Sequence, residues 1–250
     1  YIYFMNKNQN KTTKHWHVHS NNENIWVNWR FLIIEKILKK KFKLNKKYKC
    51  LDVGCGNENF SMELENITNF IVDSSDVDKK IIKKKNIKRR GKFYLYDIEK
   101  KNLKKKYDII FLLDVLEHIK NEKKFLQSVF FHLKKNGYLI LNVPSIPYLY
   151  SKYDISVGHI RRYNKNMVYE IFNNKKIVSI SYWGLTLVPV LFLRKILIDF
   201  FLNDKKNIVN VGMNTKNILI NNLMKILRFI DLNIFKSKFY GTSIIAIIKK

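Results

Sequence analysis

Apolar and polar positions along the chain fall into alternating segments. From residue 25, "IWVNWRFLIIEKILKKK" sets Trp26, Trp29, Ile33 and Ile37 at helical spacing, which predicts an amphipathic helix over 25–41. "KYKCLDV" (47–53) predicts a first strand and "NFIVD" (69–73) a second, with a short helix between them. "KFYLYD" (92–97) predicts the third. "YDIIFLLD" (107–114) is a continuous apolar run, the pattern of a central strand covered on both faces. The clearest helix follows: Asn121 can cap it, Phe125, Leu126, Val129, Phe130 and Leu133 share one face, and Gly137 stops it. "GYLILNV" (137–143) predicts another buried strand, ended by Pro144.

Beyond Pro144 the period is lost. "SIPYLYSKYDISVGHIRRYN" (145–164) predicts a long loop, and loops of that length inside compact domains are usually functional. A helix (165–174), a strand (176–183), an apolar segment, a second helix (216–232) and a β-rich end (241–250) complete the chain. Strands alternating with helices predict an α/β fold, a doubly wound and mostly parallel sheet with helices on both faces. The organisation expected is a flexible polar arm over 1–24 and a single domain over 25–250. That domain carries a substrate loop at 145–164 and an apolar helical insertion at 184–232, before the last strand.

Composition changes this picture little. The formal charge of +28 looks like a nucleic-acid signal, but only 7 of the 48 basic residues are arginine and the lysines are scattered. That pattern favours compositional bias over a dedicated nucleic-acid surface; several lysines flank apolar segments, which also suits an anionic membrane surface. Cys50 and Cys55 are too few for a disulfide framework and no ligand cluster surrounds them, so the expectation is a reducing, cytoplasmic setting and no metal. The polar N-terminal stretch has no apolar signal-peptide core. In "WGLTLVPVLFLRKILIDFF" (183–201), Arg194, Lys195, Asp199 and Pro189 interrupt what would otherwise be a span. The segment reads either as a buried helix pair or as an in-plane membrane contact.

The candidate chemistry gathers at strand ends. Gly54 and Gly56 close the first strand and permit positive φ and close backbone approach. Asp73 ends the second predicted strand, where a carboxylate can take both hydroxyls of a ribose; Asp76 and Asp78 read as solvated, either replacing Asp73 if the strand slips. Asn59 stands where a G-x-G-x-x-G dinucleotide fingerprint needs glycine.

"LDVGCG" (51–56), "IVD" (71–73), "YDIEK" (96–100), "YDIIFLLDVLEHI" (107–119) and "LKKNGYLILNVPS" (133–145), in this order, resemble class I S-adenosylmethionine-dependent methyltransferases. The small-molecule group that includes ubiquinone O-methyltransferases is the nearest in kind, with the likeness extending to "HWHV", "NWRFLIIEKIL" and "GHIRRYN". The resemblance implies their Rossmann-like fold of seven strands and S-adenosylmethionine as cofactor. It implies that Gly54, Cys55 and Gly56 present backbone to the methionine end, that Asp52 holds the ammonium, and that Asp73 holds the ribose. Asp97 and the backbone of Ile98 would flank the adenine, and Leu113 and Asp114 would close the methionine side.

An acceptor hydroxyl needs a base; His118 and His159 are the catalytic candidates, and Arg161, Arg162 and Tyr163 are candidates to bind a phosphate or carboxylate on the acceptor. Each has a structural alternative, as a packing histidine or a salt-bridged loop anchor. The function expected is methyl transfer to a small molecule, a hydroxyl on a lipid-linked or anionic compound, in the cytoplasm or peripheral to the inner membrane face. An RNA methyltransferase and a non-catalytic binding protein on a decayed methyltransferase fold are the alternatives. Glu58 departs from the family's third glycine. Beside a methionine carboxylate it would cost on the order of 4 kcal/mol at an effective dielectric near 20, so the expectation is that it points away or pairs with a cation.

Overall fold

The computed structural model describes residues 25–79, 89–100, 103–205, 207–209, 218–233 and 239–250. The arm over 1–24, with its "HWHV", lies outside the described residues. Helix α1 (Ile25–Lys41) leads into β1 (Lys49–Val53), α2 (Asn59–Ile67), β2 (Ile71–Asp76), β3 (Phe93–Leu95), β4 (Tyr107–Leu113), α3 (Glu122–His132) and β5 (Leu133–Pro144). Then come α4 (Lys152–Val157), α5 (Lys165–Ile171), β6 (Lys176–Trp183), α6 (Val188–Phe201), α7 (Ile218–Asn233) and β7 (Ser243–Lys249).

The sheet order is β3-β2-β1-β4-β5-β7-β6. β1 to β5 run parallel and β7 runs antiparallel to β5 and β6. Alternation along each strand feeds two cores. Leu51, Val53, Ile110, Leu112, Leu139 and Leu141 pack under α3 and α5. Cys50, Ile109, Phe111 and Ile140 face α1 and α2, which contribute Trp29, Ile34, Leu38, Phe60 and Leu64. Strand order reverses between β1 and β4, so a crevice opens beyond their C-terminal ends.

Three elements differ from the pattern prediction. β2 runs three residues past Asp73, because Ser74 and Ser75 are buried and paired to Asp52 and Val53 of β1. Helix α3 ends at His132 instead of reaching Gly137, and Asn136 takes φ 63 where the chain turns back into the sheet. The segment 145–164 is not irregular throughout: it holds a 3₁₀ turn (Pro147–Leu149) and α4, whose start is a capping box of Ser151 and Asp154. The apolar segment forms the 3₁₀ turn Leu185–Leu187 and then α6. Ile198 of α6 is buried, while Phe192, Leu193, Leu197, Phe200 and Phe201 are exposed, as are Leu223, Ile226 and Phe229 of α7. No helix among the described residues is long and apolar enough to cross a membrane.

Candidate functional site

The loop after β1 lies over the crevice. Gly54 (φ 70), Gly56 (φ 53) and Glu58 (φ 64) are all left-handed. A Cβ on Gly54 would meet Val115 Cγ2 at 2.6 Å, so glycine there lets the loop close on the end of β4. A Cβ on Gly56 would meet nothing within 4 Å, which marks open space above its Cα. The loop's N–H groups do not face that space. Gly54 and Cys55 donate to Ser75 O at 2.8 and 3.1 Å, and Gly56 donates to Asp76 Oδ2 at 3.0 Å. The backbone surface that Gly56 offers to that space is its bare Cα. Cys55 is largely buried, which pushes its thiol pKa up.

Asp73 is not at the crevice. It pairs with Leu51 in mid-strand and accepts from Lys92 N (2.9 Å), Tyr107 O–H (3.0 Å) and Lys105 Nζ (3.3 Å). Lys92 precedes β3 and Tyr107 opens β4, so this carboxylate is bonded at the N-terminal ends of those strands. Asp76 ends β2 beside the glycine loop, and its Oδ1 accepts from Asp78 N at 2.9 Å. Three residues along a strand reverse the face, so Asp73 and Asp76 lie on opposite faces of β2.

Asp52 is buried and accepts from Ser61 Oγ at 2.7 Å. Burial pushes its pKa up to about 6, against the opposing pull of Ser61, Arg30 and Arg89. Arg30, from α1, reaches the crevice through an ion pair with Asp114. Its buried Nε–H has no hydrogen-bond partner among the described residues. Asp114 (φ 58) is held on both oxygens, by Arg30 and by Asn142 Nδ2 at 2.6 Å. Leu113 is buried in the α1 side of the core. Asp97 Oδ1 caps the 3₁₀ turn that follows it (Glu99 N, 3.0 Å), and the Ile98 side chain is buried in the α3 side of the core.

Glu58 is ion-paired with Arg89, whose guanidinium also bonds Ser74 Oγ at 2.8 Å and Val72 O at 2.5 Å. The carboxylate is thereby neutralised.

Beyond β4, the 3₁₀ turn Leu116–His118 carries Glu117 and His118. His118 Nδ1 lies 3.0 Å from Gly158 O, and its ring stacks edge-on to His159 with centroids 4.8 Å apart. Burial pulls the His118 pKa down to about 3, so it is neutral at neutral pH. His159 Nδ1 is 2.9 Å from Asp154 Oδ1 and its Nε2 is 3.7 Å from Glu117 Oε1. Burial pushes the Asp154 carboxyl up, but hydrogen bonds from His159 and Arg162 outweigh it and hold it at about 2. Glu117 is fully buried with neither oxygen hydrogen-bonded among the described residues, and burial raises its pKa well above the usual carboxylate range. Donor atoms of Glu117, His118 and His159 lie within 4.8 Å of one another, the one such group of potential metal donors among the described residues. Arg30 and Arg162 favour the Glu117 carboxylate, while burial and the Asp114 charge oppose it and prevail.

The three residues predicted to hold an acidic acceptor group serve the loop itself. Arg162 is buried and donates from Nε to Asp154 (2.9 Å) and from Nη1 to Ser145 O (3.2 Å). Arg161 pairs with Glu122. Tyr163 is fully buried and donates to Glu122 Oε1 at 2.5 Å. The sequence did not single out Arg30 or Glu117, and it offered Asp76 only as a replacement for Asp73 if the strand slips. A signal existed for Asp76, in the strand-compatible run "IVDSSD"; nothing local to Arg30 announces it.

A family model described as a methyltransferase domain matches residues 26–184. Two curated relatives, both ubiquinone biosynthesis O-methyltransferases, are from Rickettsia akari (strain Hartford; 29% identical over 114 residues) and Rickettsia prowazekii (strain Madrid E; 31% over 114 residues). Each match covers 44% of this chain and 45% of the relative, so the chain spans less than half the length of the curated relatives it matches. Among solved structures, coclaurine N-methyltransferase bound to N-methylheliamine and S-adenosylhomocysteine superposes with a TM-score of 0.57 at 13% identity, covering 88% of this chain and 72% of that one. A putative sarcosine dimethylglycine methyltransferase from Galdieria sulphuraria gives 0.58 at 12% identity, covering 89% and 85%. At such identities the structures show the fold alone.

Proposed function

Since the chain belongs to the methyltransferase domain family, we propose that it binds S-adenosylmethionine across the crest of β1 and β4 and transfers its methyl group to a small-molecule acceptor. The observation that carries this reading is the cradle at Gly56. Open space lies over a left-handed glycine braced by Asp76, with a buried carboxylate at Asp52 and a positive charge at Arg30 nearby. The residues fit an adenosyl amino acid: Asp76 for the ribose hydroxyls, Arg30 for the carboxylate, Asp52 for the ammonium, and Asp97 with Ile98 for the adenine edge. Once bound, that cofactor supplies an electrophilic methyl group on a sulfonium. The chain's own task is then to position an acceptor and remove its proton, which falls to His159 or His118.

The acceptor we propose carries a hydroxyl and an apolar, lipid-like tail. Support comes from α6, which packs on the loop that carries His159 through Lys152 N to Asp199 (2.9 Å) and Lys195 Nζ to Tyr150 O (2.5 Å), while its outer face is apolar. An anionic acceptor loses its support with the inward turn of Arg161 and Arg162. The same outer face, on a chain of charge +28, suits peripheral contact with an anionic bilayer.

Calorimetry with S-adenosylmethionine and S-adenosylhomocysteine tests the reading. Binding of both, weakened by Asp76→Ala, is expected. Absence of binding by the folded wild type would overturn it in favour of a non-catalytic protein.

A further inference from the structure

The methyl-transfer reading leaves Asp154 and Glu117 without a role, yet they flank His159 on both sides. Asp154 is fully buried and all its contacts aim at one task. Its Oδ2 accepts from Ser151 N and Oγ (3.0 and 3.2 Å), and its Oδ1 accepts from His159 Nδ1 and Arg162 Nε, each at 2.9 Å. The backbone repeats the link, since His159 N donates to Asp154 O at 2.8 Å around left-handed Gly158. A buried carboxylate kept ionised by a guanidinium can only accept, so the imidazole must carry its proton on Nδ1. The Nε2 lone pair is then turned to Glu117 Oε1, 3.7 Å away.

Glu117 lies in a fully buried position where neither oxygen finds a donor among the described residues. Leaving a carboxylate charged there is costly unless a proton or partner arrives. The gap is set from both sides by backbone contacts: Ile160 N donates to Glu117 O at 2.9 Å, and His118 Nδ1 meets Gly158 O at 3.0 Å. The other charged or titratable groups near the pair are Arg30 of α1, Asp114 after β4, His118 on the same turn, and Arg162 and Tyr163 on the loop.

We propose that Asp154 is the positioning residue of this site: it fixes the Nδ1–H tautomer of His159, so that Nε2 is left bare to receive the proton that the acceptor loses. The proton moves from the acceptor's heteroatom to Nε2, and the imidazolium formed is balanced by the ionised Asp154 carboxylate, 2.9 Å from Nδ1. The acceptor's part rests on the methyl-transfer reading; the tautomer does not.

Nitrogen-15 NMR of the full chain labelled at histidine reads this directly, with His159→Gln assigning the signal among the six histidines. At neutral pH the wild type is expected to show protonated Nδ1 and bare Nε2, and Asp154→Asn to shift the population towards Nε2–H by about threefold or more, as an amide can donate to Nδ1. An unchanged tautomer ratio in Asp154→Asn, or Nε2–H in the wild type, overturns the proposal. Should Asp154→Asn not fold, Glu117→Gln serves, because Glu117 makes no side-chain hydrogen bond among the described residues to lose. That variant is expected to keep the Nδ1–H tautomer, since Asp154 is untouched; its loss there would show that Glu117 and not Asp154 sets the tautomer, and would overturn the proposal. Zinc titrated alone is expected not to bind. One equivalent bound by the wild type and lost in Glu117→Gln would make the cluster a cation site and overturn the proposal. Calorimetry with S-adenosylmethionine on the same samples keeps the two readings apart: its failure counts against the cofactor and leaves the tautomer result standing.

Discussion

Two loops crown the same edge of the sheet, and they are built on opposite principles. The loop after β1 (54–58) works with its backbone: left-handed glycines, N–H groups tied to β2, and bare Cα surface facing the crevice. The segment after β5 (145–164) works with its side chains, and most of them turn inward. Asp154, Arg162 and Tyr163 are buried, and Arg161 is bound to Glu122. A glycine that must adopt φ > 0 announces its site wherever it stands in a chain. An arginine announces only a charge, and whether that charge meets a ligand or a carboxylate of its own protein depends on tertiary contacts. The same holds beyond this loop. Arg30, Arg89, Arg161 and Arg162 each pair with an acid, and Arg90 bonds backbone carbonyls, which leaves a basic surface made mostly of lysine.

The sharpest way to break this comparison lies inside the second loop. Arg162→Ala strips a buried carboxylate of its guanidinium and is expected to cost about 3–5 kcal/mol. Arg161→Ala removes a partly exposed pair and should cost about 1 kcal/mol or less. Urea unfolding of the two variants measures the difference. Equal costs would return both arginines to the surface and to ligand binding.

On the backbone side the largest effect is expected at Asp52. Its pKa rises from 3.8 to about 6 on folding, so between those values the folded state binds more protons than the unfolded one. Stability from this group is therefore greatest below pH 4 and falls as pH rises to 6, by up to about 3 kcal/mol. Asp52→Asn should flatten that slope and stabilise the free protein at pH 7, while weakening S-adenosylmethionine. Melting temperatures across pH 4–7 decide it; an identical slope in the variant would show that burial of Asp52 does not govern the titration.

Next comes the pair of acids on β2. Asp76→Ala is expected to weaken S-adenosylmethionine by roughly 10- to 100-fold, the value of about 1.5–3 kcal/mol for hydrogen bonds to a charged group. Asp73→Asn should spare affinity and lower stability instead, through Tyr107 and Lys105. The reverse outcome would put the ribose back where the shorter strand had it.

These acids also show where legibility in the sequence ended. The run of β1, β4 and β5, the helix over 25–41 and the alternation of elements were open to reading, because apolar period is a local property. So was the glycine loop. β2 was cut short because Ser74, Ser75 and Asp76 look like loop chemistry, and only their pairing with β1 and β3 makes them strand. The capping box of Ser151 and Asp154 was visible as S-x-x-D, but inside a stretch without period it carried no weight beside the more conspicuous "GHIRRY". Arg30 and Glu117 gain their meaning only when α1 and the turn after β4 are brought over one crevice.

Glu58 should give the smallest effect, and it tests the comparison at its weakest point, a side chain where the backbone loop wants none. A non-glycine residue at φ 64 costs roughly 1–2 kcal/mol in strain. The pair with Arg89, whose side chain is 7% exposed, offsets much of that. Glu58→Gly would relieve the strain and leave Arg89 with Ser74 Oγ, Val72 O and a longer contact to Glu65 at 3.6 Å. The net change in stability is therefore expected within about 1 kcal/mol, the difference of two terms of similar size. Affinity for S-adenosylmethionine should stay within about threefold, because the carboxylate is already neutralised and drawn towards β2. A gain of about a hundredfold in the glycine variant, read by calorimetry, would mean that Glu58 leans into the cradle and that the chain's own third residue opposes its cofactor.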